Sequence, residues 1–287
     1  MPARRTHVFQ FRVTRTCLSK DESEINPVEP MNPQKAIAII PARYHSTRFP
    51  GKPLVAINQK PMIQHVYERV CQSTRVERVI VATDDDRILR VVEEFGGEAW
   101  MTSTGHTSGT DRVAEVACQQ EADLIVNVQG DEPFIDPACI DAMIEPFDTE
   151  PGLMISTLCH PITLEDDLYN PNIVKVVTDR RGFALYFSRS PIPYSPHSNL
   201  ILKNASVFKR HMGLYTYRKS FLEQLPKLER SPLEDSESLE QLRFLENGYQ
   251  IKVINTTYQP LAVDTPDDLE RINEFLKEQA WQQNSSS

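Results

Sequence analysis

The stretch that decides the fold is AIAII, residues 36–40, which continues directly as PARYHSTRFPGKP, residues 41–53. A short apolar run bounded by proline is typical of a parallel strand that is buried on both faces. The loop after it carries three cations, Arg43, Arg48 and Lys52, among prolines that restrict the backbone. Surface charge for solubility requires neither prolines nor a strand end, so this loop predicts a site for an anionic ligand.

Strands and amphipathic helices alternate after this stretch. The strand-like runs RVIVAT (78–83) and ADLIVNVQGDEP (122–133) are separated by helical patterns at 61–73, 85–97 and 108–120. This alternation predicts an α/β protein with an open, mostly parallel sheet and helices on both faces, in a Rossmann-like arrangement.

The pattern changes after residue 150. Three runs with strand character follow, NIVKVVTD, GFALYFSR and HMGLYTYR, and TDRRG links the first two as a hairpin. We therefore expect a smaller antiparallel lobe over 151–236, inserted into an α/β domain formed by 36–150 and 237–278. Helical periodicity returns at SESLEQLRFLENG (236–248) and, after the strand QIKVINT, at PDDLERINEFLKEQ.

The two ends of the chain differ from the rest. Residues 1–20 contain five basic and no acidic side chains, but they lack the apolar segment of a secretory signal. We expect residues 1–35 to be a disordered or non-native extension, with translation beginning at Met31 as one explanation. Residues 279–287 are expected to be an unstructured tail.

The overall composition excludes several classes of partner. The 287 residues carry 31 Lys and Arg against 40 Asp and Glu, a formal net charge of −9. Such a molecule repels polyanions, so we expect a small anionic ligand and no nucleic acid. No apolar run approaches the roughly 18 residues of a membrane span, and the five cysteines form no CxxC pair. We therefore expect no membrane association, buried reduced thiols and a cytoplasmic location.

Three sequence features follow predicted strands, where open α/β sheets bind their ligands. They are the cationic loop, the helix start SGTDR (108–112) and the turn QGDEP (129–133). Three cations and the N–H groups of a helix start could together neutralise a triphosphate. A carboxylate beside phosphates would be repelled unless Mg²⁺ lay between them, so Asp131 and Asp264 are predicted magnesium ligands.

Each of these features has a plainer interpretation. The loop is also consistent with ordinary surface charge, QGDEP with a simple turn, and Asp264 with capping of the last helix. His211, on a predicted strand, is also consistent with a structural histidine. The chain has no GxGxxG and no P-loop motif, which disfavours classical dinucleotide and P-loop binding. The residues alone thus indicate an enzyme that handles a nucleoside triphosphate or similar anion with Mg²⁺, without naming the base or the acceptor.

Nine successive segments resemble the signatures of the 3-deoxy-manno-octulosonate (Kdo) cytidylyltransferase family, from about residue 36 to residue 276. They are IIPARYHSTRFPGKPL, IVATDD, SGTDRVAEV, VNVQGDEP, NPNIVKVV, ALYFSRSPIP, HMGLYTYR, SPLEDSESLEQLR and VDTPDDLERI. The first is shared with related enzymes such as the CMP-sialic acid synthetases, whereas YFSR, HxGxYxY and LEQLR favour Kdo.

The resemblance implies a nucleotidyltransferase fold, CTP and Kdo as substrates, CMP-Kdo and pyrophosphate as products for lipopolysaccharide biosynthesis, Mg²⁺ as cofactor, and a homodimer formed through the smaller lobe. It also implies roles for individual residues. The catalytic residues would be Arg43, Lys52 and Asp131, and the metal ligands Asp131 and Asp264. The nucleotide would be bound by Ala42, Arg43, Arg48, Lys52, Ser108, Gly109, Thr110 and Gln129. The sugar would be bound by Arg189, His211, Tyr215, Glu240 and Gln241, with Arg189 on its carboxylate.

Two other functions fit the same residues. One is a cytidylyltransferase for sialic acid or another acidic sugar, which a panel of sugars with CTP would distinguish. The other is a nucleotide sensor that keeps the fold without turnover. Every charged position that the chemistry needs is filled in this chain, which favours an active enzyme.

Overall fold

The computed structural model describes residues 34–45, 49–195, 207–261, 263 and 265–274. The predictions for Arg48, Asp264 and residues 1–33 and 275–287 lie outside these ranges. Strand β1, Ala36–Ala42, is buried along almost its whole length. Its alternate side chains enter two different apolar cores: Ala38 and Ile40 face one, and Ile37 and Ile39 face the other. The first apolar run is therefore a central strand, as predicted.

Nine of the strands in the described ranges form one mixed sheet. They are β1, β4 (Val76–Thr83), β5 (Ala99–Met101), β6 (Leu124–Asn127), β7 (Ile155–Pro161), β8 (Lys175–Thr178), β9 (Ala184–Ser188), β10 (Lys209–Arg218) and β11 (Ile251–Asn255). Their order is β11-β7-β10-β6-β1-β4-β5, with β8 paired to β10 and β9 paired to β8. Pairing is parallel among β6, β1, β4 and β5 and between β7 and β11, whereas β10 runs antiparallel to β6, β7 and β8. Two further short strands, β2 (Ala56–Ile57) and β3 (Lys60–Pro61), pair with each other.

Helices cover both faces of this sheet. They are α1 (Met62–Val70), α2 (Asp86–Glu94), α3 (Gly109–Cys118), α4 (Pro137–Ile144), α5 (Pro146–Thr149), α6 (Glu165–Tyr169), α7 (Lys219–Leu222), α8 (Pro232–Glu237), α9 (Gln241–Glu246) and α10 (residues 266–274). One core contains the apolar sides of α1, α2 and α4, and the other contains those of α3, α7 and α9. The predicted α/β fold class is confirmed.

The smaller antiparallel region is built around the β8–β9 hairpin. Gly182 lies in its turn at φ 84°, a backbone conformation that favours glycine. The hairpin pairs with the beginning of β10, so the antiparallel strands continue the central sheet. The division into 36–150 with 237–278 and 151–236 stays a prediction.

The sequence analysis differs from the structure in three details. The helical pattern at 236–248 predicted one helix, but α8 and α9 are separate, because Ser238 takes a left-handed conformation at φ 53°. Strand β7 was not predicted, although it lies inside the sheet. The cysteines are also less buried than expected: Cys139 and Cys159 are buried free thiols, whereas Cys71 and Cys118 are exposed. Among the described residues, no helix is long and apolar enough to cross a membrane.

Candidate active site

The cationic loop lies at the carboxyl end of β1, close to the segment that follows β6. A hydrogen bond from Gly51 N to Tyr44 O, 2.8 Å long, closes the loop and places Lys52 at its exit. A Cβ added to Gly130 would lie 3.1 Å from Pro41 O, so glycine lets these two strand ends approach each other. Ala42, the last residue of β1, is buried there.

Two of the predicted catalytic residues meet at this point. Lys52 Nζ donates to Asp131 Oδ2 at 2.7 Å, and both side chains are largely shielded from solvent. The backbone N–H of Val263, the residue before Asp264 in the sequence, donates to Asp131 O at 3.1 Å. Val263 therefore lies beside the QGDEP turn.

The start of α3 forms the second wall of the site. Ser108 is its N-cap: its hydroxyl accepts from Asp111 N, and the Asp111 carboxylate accepts from Ser108 N. This capping box orders the helix start without using the N–H groups of Gly109 and Thr110. Arg43 Nη2 donates to Ser108 O at 2.7 Å, which joins the cationic loop to this helix start.

A cavity of about 340 Å³ extends from Asp131 and the start of α3 toward β10. It is lined by four of the five side chains that were predicted to bind the sugar. Its lining residues are Thr110, Asn127, Gln129, Asp131, Glu132, Asn172, Ile173, Val174, Arg210, His211, Gly213, Tyr215, Leu239, Glu240 and Gln241.

One contact links the two predicted substrate regions. Thr110 Oγ1 donates to Glu240 Oε2 at 2.5 Å, across 130 residues of sequence. Burial raises the pKa of Glu240, and the hydrogen bond from Thr110 opposes part of this shift. A residue predicted to bind the nucleotide thus contacts a residue predicted to bind the sugar.

Three other polar side chains of the cavity have a defined hydrogen-bonding or protonation state. Gln129 Nε2 donates to Gly213 O at 2.9 Å, which leaves its Oε1 as an acceptor. Burial lowers the pKa of His211 to about 3, so the imidazole is neutral at physiological pH. Burial also raises the pKa of Tyr215 well above its usual value, so its phenol keeps its proton.

Arg189 is not part of this lining. Its Nε donates to Glu237 O at 2.8 Å and its Nη1 to Pro171 O at 3.0 Å, while its backbone N–H donates to the Glu237 carboxylate. The guanidinium therefore ties β9 to two neighbouring segments, and the structure does not bring it together with the four other sugar-site candidates.

The sequence analysis missed Asn127 and Gly213. Asn127 is only 2 % exposed, lines the cavity, and its Oδ1 has no hydrogen-bond partner within the described residues. A single amide inside the apolar strand LIVNV was a usable signal, because a buried polar side chain in a strand needs a partner. Within the described residues, no group of three or more His, Cys, Asp or Glu side chains is placed to hold a metal ion.

Comparison with known proteins gives a consistent result. A family model described as Cytidylyltransferase matches residues 37–253. The 3-deoxy-manno-octulosonate cytidylyltransferase of Trichlorobacter lovleyi is 53% identical over 248 residues, which cover 84% of this chain and 98% of that protein. The enzyme of the same name from Geotalea daltonii is 52% identical over 250 residues, 85% of this chain and 99% of that protein.

A solved structure agrees with these relatives. It is a CMP:2-keto-3-deoxy-manno-octonic acid synthetase complexed with CTP, 44% identical to this chain with a TM-score of 0.80. The match covers 85% of this chain and 99% of that one.

Proposed function

The chain belongs to the 3-deoxy-manno-octulosonate cytidylyltransferase family, and from that premise we propose that it transfers CMP from CTP to the anomeric hydroxyl of Kdo, releasing pyrophosphate. The observation that carries this proposal is the contact between Thr110 and Glu240. It joins the helix start suited to a nucleotide to the cavity suited to a polyhydroxylated sugar. Two substrates bound on either side of this contact would be neighbours.

The chain's own residues supply the binding and the orientation. Arg43, held against the start of α3, and Lys52 would bind the phosphates of CTP and stabilise the charge that develops on the departing pyrophosphate. His211 and Glu240 present acceptors to the hydroxyls of the sugar. Substrates held in this way would have the anomeric hydroxyl facing the α-phosphorus, opposite the leaving group.

Mg²⁺ is the cofactor that we propose for this site. The Asp131 carboxylate is the kind of oxygen ligand that Mg²⁺ prefers. Its Oδ2 already pairs with the ammonium group of Lys52 at 2.7 Å, so this position favours a positive charge. The hydrogen bond between Val263 N and Asp131 O supports Asp264 as the second ligand. When bound, Mg²⁺ would lower the pKa of the attacking hydroxyl and neutralise phosphate charge.

We further propose a cytoplasmic homodimer that supplies CMP-Kdo for lipopolysaccharide biosynthesis. Exposed apolar side chains in the smaller region support a partner surface there. Leu185, on β9, is 63% exposed, and Tyr194, six residues after the end of β9, is 87% exposed. A second copy of the chain would remove this apolar surface from water.

Pyrophosphate release from CTP with Mg²⁺ tests the function, with Kdo, sialic acid or no sugar as the acceptor. Release with Kdo alone is expected. Release with sialic acid would favour the related enzyme class, and CTP binding without release for any sugar would favour the nucleotide sensor. A parallel reaction in excess EDTA should be inactive if Mg²⁺ is the cofactor.

A further inference from the structure

Strand β10 contains an irregularity next to the cavity. Its register with β7 pairs Met212 with Leu158 and Tyr215 with Thr157, so that Gly213 and Leu214 are extra residues on β10. Bulges of this kind bend a strand and redirect the side chains near a functional site. Here the irregular segment lies between two side chains of the cavity, His211 and Tyr215.

Side chains from neighbouring strands bind the carbonyl groups of this segment. Thr157 Oγ1, on β7, lies 2.7 Å from Leu214 O and 3.1 Å from Met212 O. Gln129 binds the carbonyl between them, that of Gly213. Thr157 is fully buried, so its hydroxyl hydrogen has no solvent partner.

The same hydroxyl lies 3.0 Å from Nε2 of His211. A threonine hydroxyl has one hydrogen and two acceptor lone pairs. If that hydrogen pointed at Nε2, the hydroxyl oxygen would face two carbonyl oxygens at 2.7 and 3.1 Å with no hydrogen between them. The hydrogen therefore goes to a carbonyl, and Thr157 Oγ1 accepts a hydrogen bond from Nε2–H of His211.

This assignment determines the other ring nitrogen. A neutral imidazole with its proton on Nε2 has a bare lone pair on Nδ1. The ring makes a T-shaped contact with Phe187, with the centroids 4.8 Å apart, and a tilted contact with Tyr215 at 5.5 Å. Nδ1 has no hydrogen-bond partner in the described ranges, and His211 lines the cavity.

We propose that Thr157 is a positioning residue of the sugar site, which holds His211 as the Nε2–H tautomer so that Nδ1 accepts a hydrogen bond from a hydroxyl of the acid sugar. The proposal rests on the proposed function for the identity of the sugar, but the tautomer itself follows from the hydrogen bonds alone. The burial of His211 agrees with it, because an apolar environment disfavours the doubly protonated ring.

Nitrogen-15 NMR of protein labelled at its histidines tests the tautomer directly. His211 is assigned among the seven histidines as the signal lost in His211→Gln. The expected pattern is a protonated Nε2 and a bare Nδ1 that stay unchanged between pH 5 and 8. Adding Kdo with CTP in EDTA should shift the Nδ1 signal upfield. A proton on Nδ1, or a shift confined to Nε2, would overturn the proposal.

Kinetics of two Thr157 variants test the consequence. Thr157→Val keeps the shape but removes the hydroxyl, and it should raise KM for Kdo about tenfold, as expected for one lost hydrogen bond, with KM for CTP unchanged. Thr157→Ser retains the hydroxyl and should restore both the NMR pattern and a KM within about twofold of the wild type. Equal KM values for all three proteins would overturn the proposal, and if the valine variant fails to fold, the wild-type and serine spectra still decide it.

The pyrophosphate assay and the NMR spectra test the proposed function and the role of Thr157 separately. If the wild type releases no pyrophosphate with Kdo, the proposed function fails, although the tautomer remains measurable. If it is active with Kdo while His211 carries its proton on Nδ1, the role of Thr157 fails and the function stands.

Discussion

Lys52 Nζ lies 2.7 Å from Asp131 Oδ2, so the cation expected to bind phosphate is paired with the carboxylate expected to bind the metal. The two groups come from different strand ends and are separated by 79 residues in the sequence. With nucleotide and metal present, each has a stronger partner of opposite charge. The pair therefore holds both side chains in place before the ligands arrive.

Asp131→Asn tests the role of this carboxylate. The variant should lose at least about a hundredfold in Mg²⁺-dependent kcat, because an amide neither neutralises the metal nor pairs with Lys52. The measurement is pyrophosphate release, with thermal unfolding as a check of the fold. Asp166→Asn, at an exposed position on α6, is the matched control and should behave as the wild type. Substantial Mg²⁺-dependent turnover by Asp131→Asn would contradict the assignment.

Arg43→Lys tests the need for a guanidinium in the loop. Lysine keeps the charge, but it cannot bind Ser108 O and a phosphate at the same time with a planar fork of donors. We expect KM for CTP to rise about tenfold, the equivalent of one lost hydrogen bond, with KM for Kdo unchanged. Arg90→Lys, at an exposed position on α2, is the control. Equal KM values for CTP in both variants would count against a phosphate contact by Arg43.

The low pKa of His211 predicts a loss of stability in acid. The ring is neutral in the folded protein down to a pKa of about 3, whereas in the unfolded chain it takes up a proton below about 6.5. The contribution of the buried, neutral His211 to the unfolding free energy is therefore fully present above pH 6.5 and decreases as the pH falls from there toward 3. At pH 5 the wild type should have lost about 2 kcal/mol more of its unfolding free energy, relative to pH 8, than His211→Gln. Urea unfolding of both proteins measures this difference, and parallel pH profiles would refute it.

Arg189→Lys distinguishes a structural role from sugar binding. The structure predicts a loss of about 1–3 kcal/mol in unfolding free energy, because the carbonyls of Pro171 and Glu237 lose their donors. Urea unfolding tests this, with Arg181→Lys in the exposed hairpin turn as the control. If the variant is as stable as the wild type but has a raised KM for Kdo, the sugar role implied by the resemblance is correct instead.

Leu185→Glu tests the proposed dimer surface. A charge on the exposed face of β9 should shift a dimer toward monomer in sedimentation velocity, because it would have to be buried without a partner. Met101→Glu, at an exposed position on β5 outside the smaller lobe, is the control. An unchanged dimer in the Leu185 variant would place the interface elsewhere, and a monomeric wild type would refute the dimer.

Most strands and helices were predictable because their signals are local. The apolar run at 36–40 and the alternation that follows depend on neighbours within one element, and β1, β4 and α3 lie where the patterns predict. Strand β7 was missed because Ser156 and Thr157 interrupt its apolar run, and both are fully buried. These hydroxyls bind carbonyls of distant segments, which a local pattern does not reveal.

By itself, the sequence determined the fold class, the cationic loop, the capped helix start and the chemistry that these residues suit. Only the tertiary structure decided which groups meet: Thr110 with Glu240, Lys52 with Asp131, Thr157 with His211, and Arg189 with the backbone carbonyl of Glu237. The physical reason is that periodicity records which face of an element is buried, whereas contacts across 48 to 130 residues depend on how the elements pack.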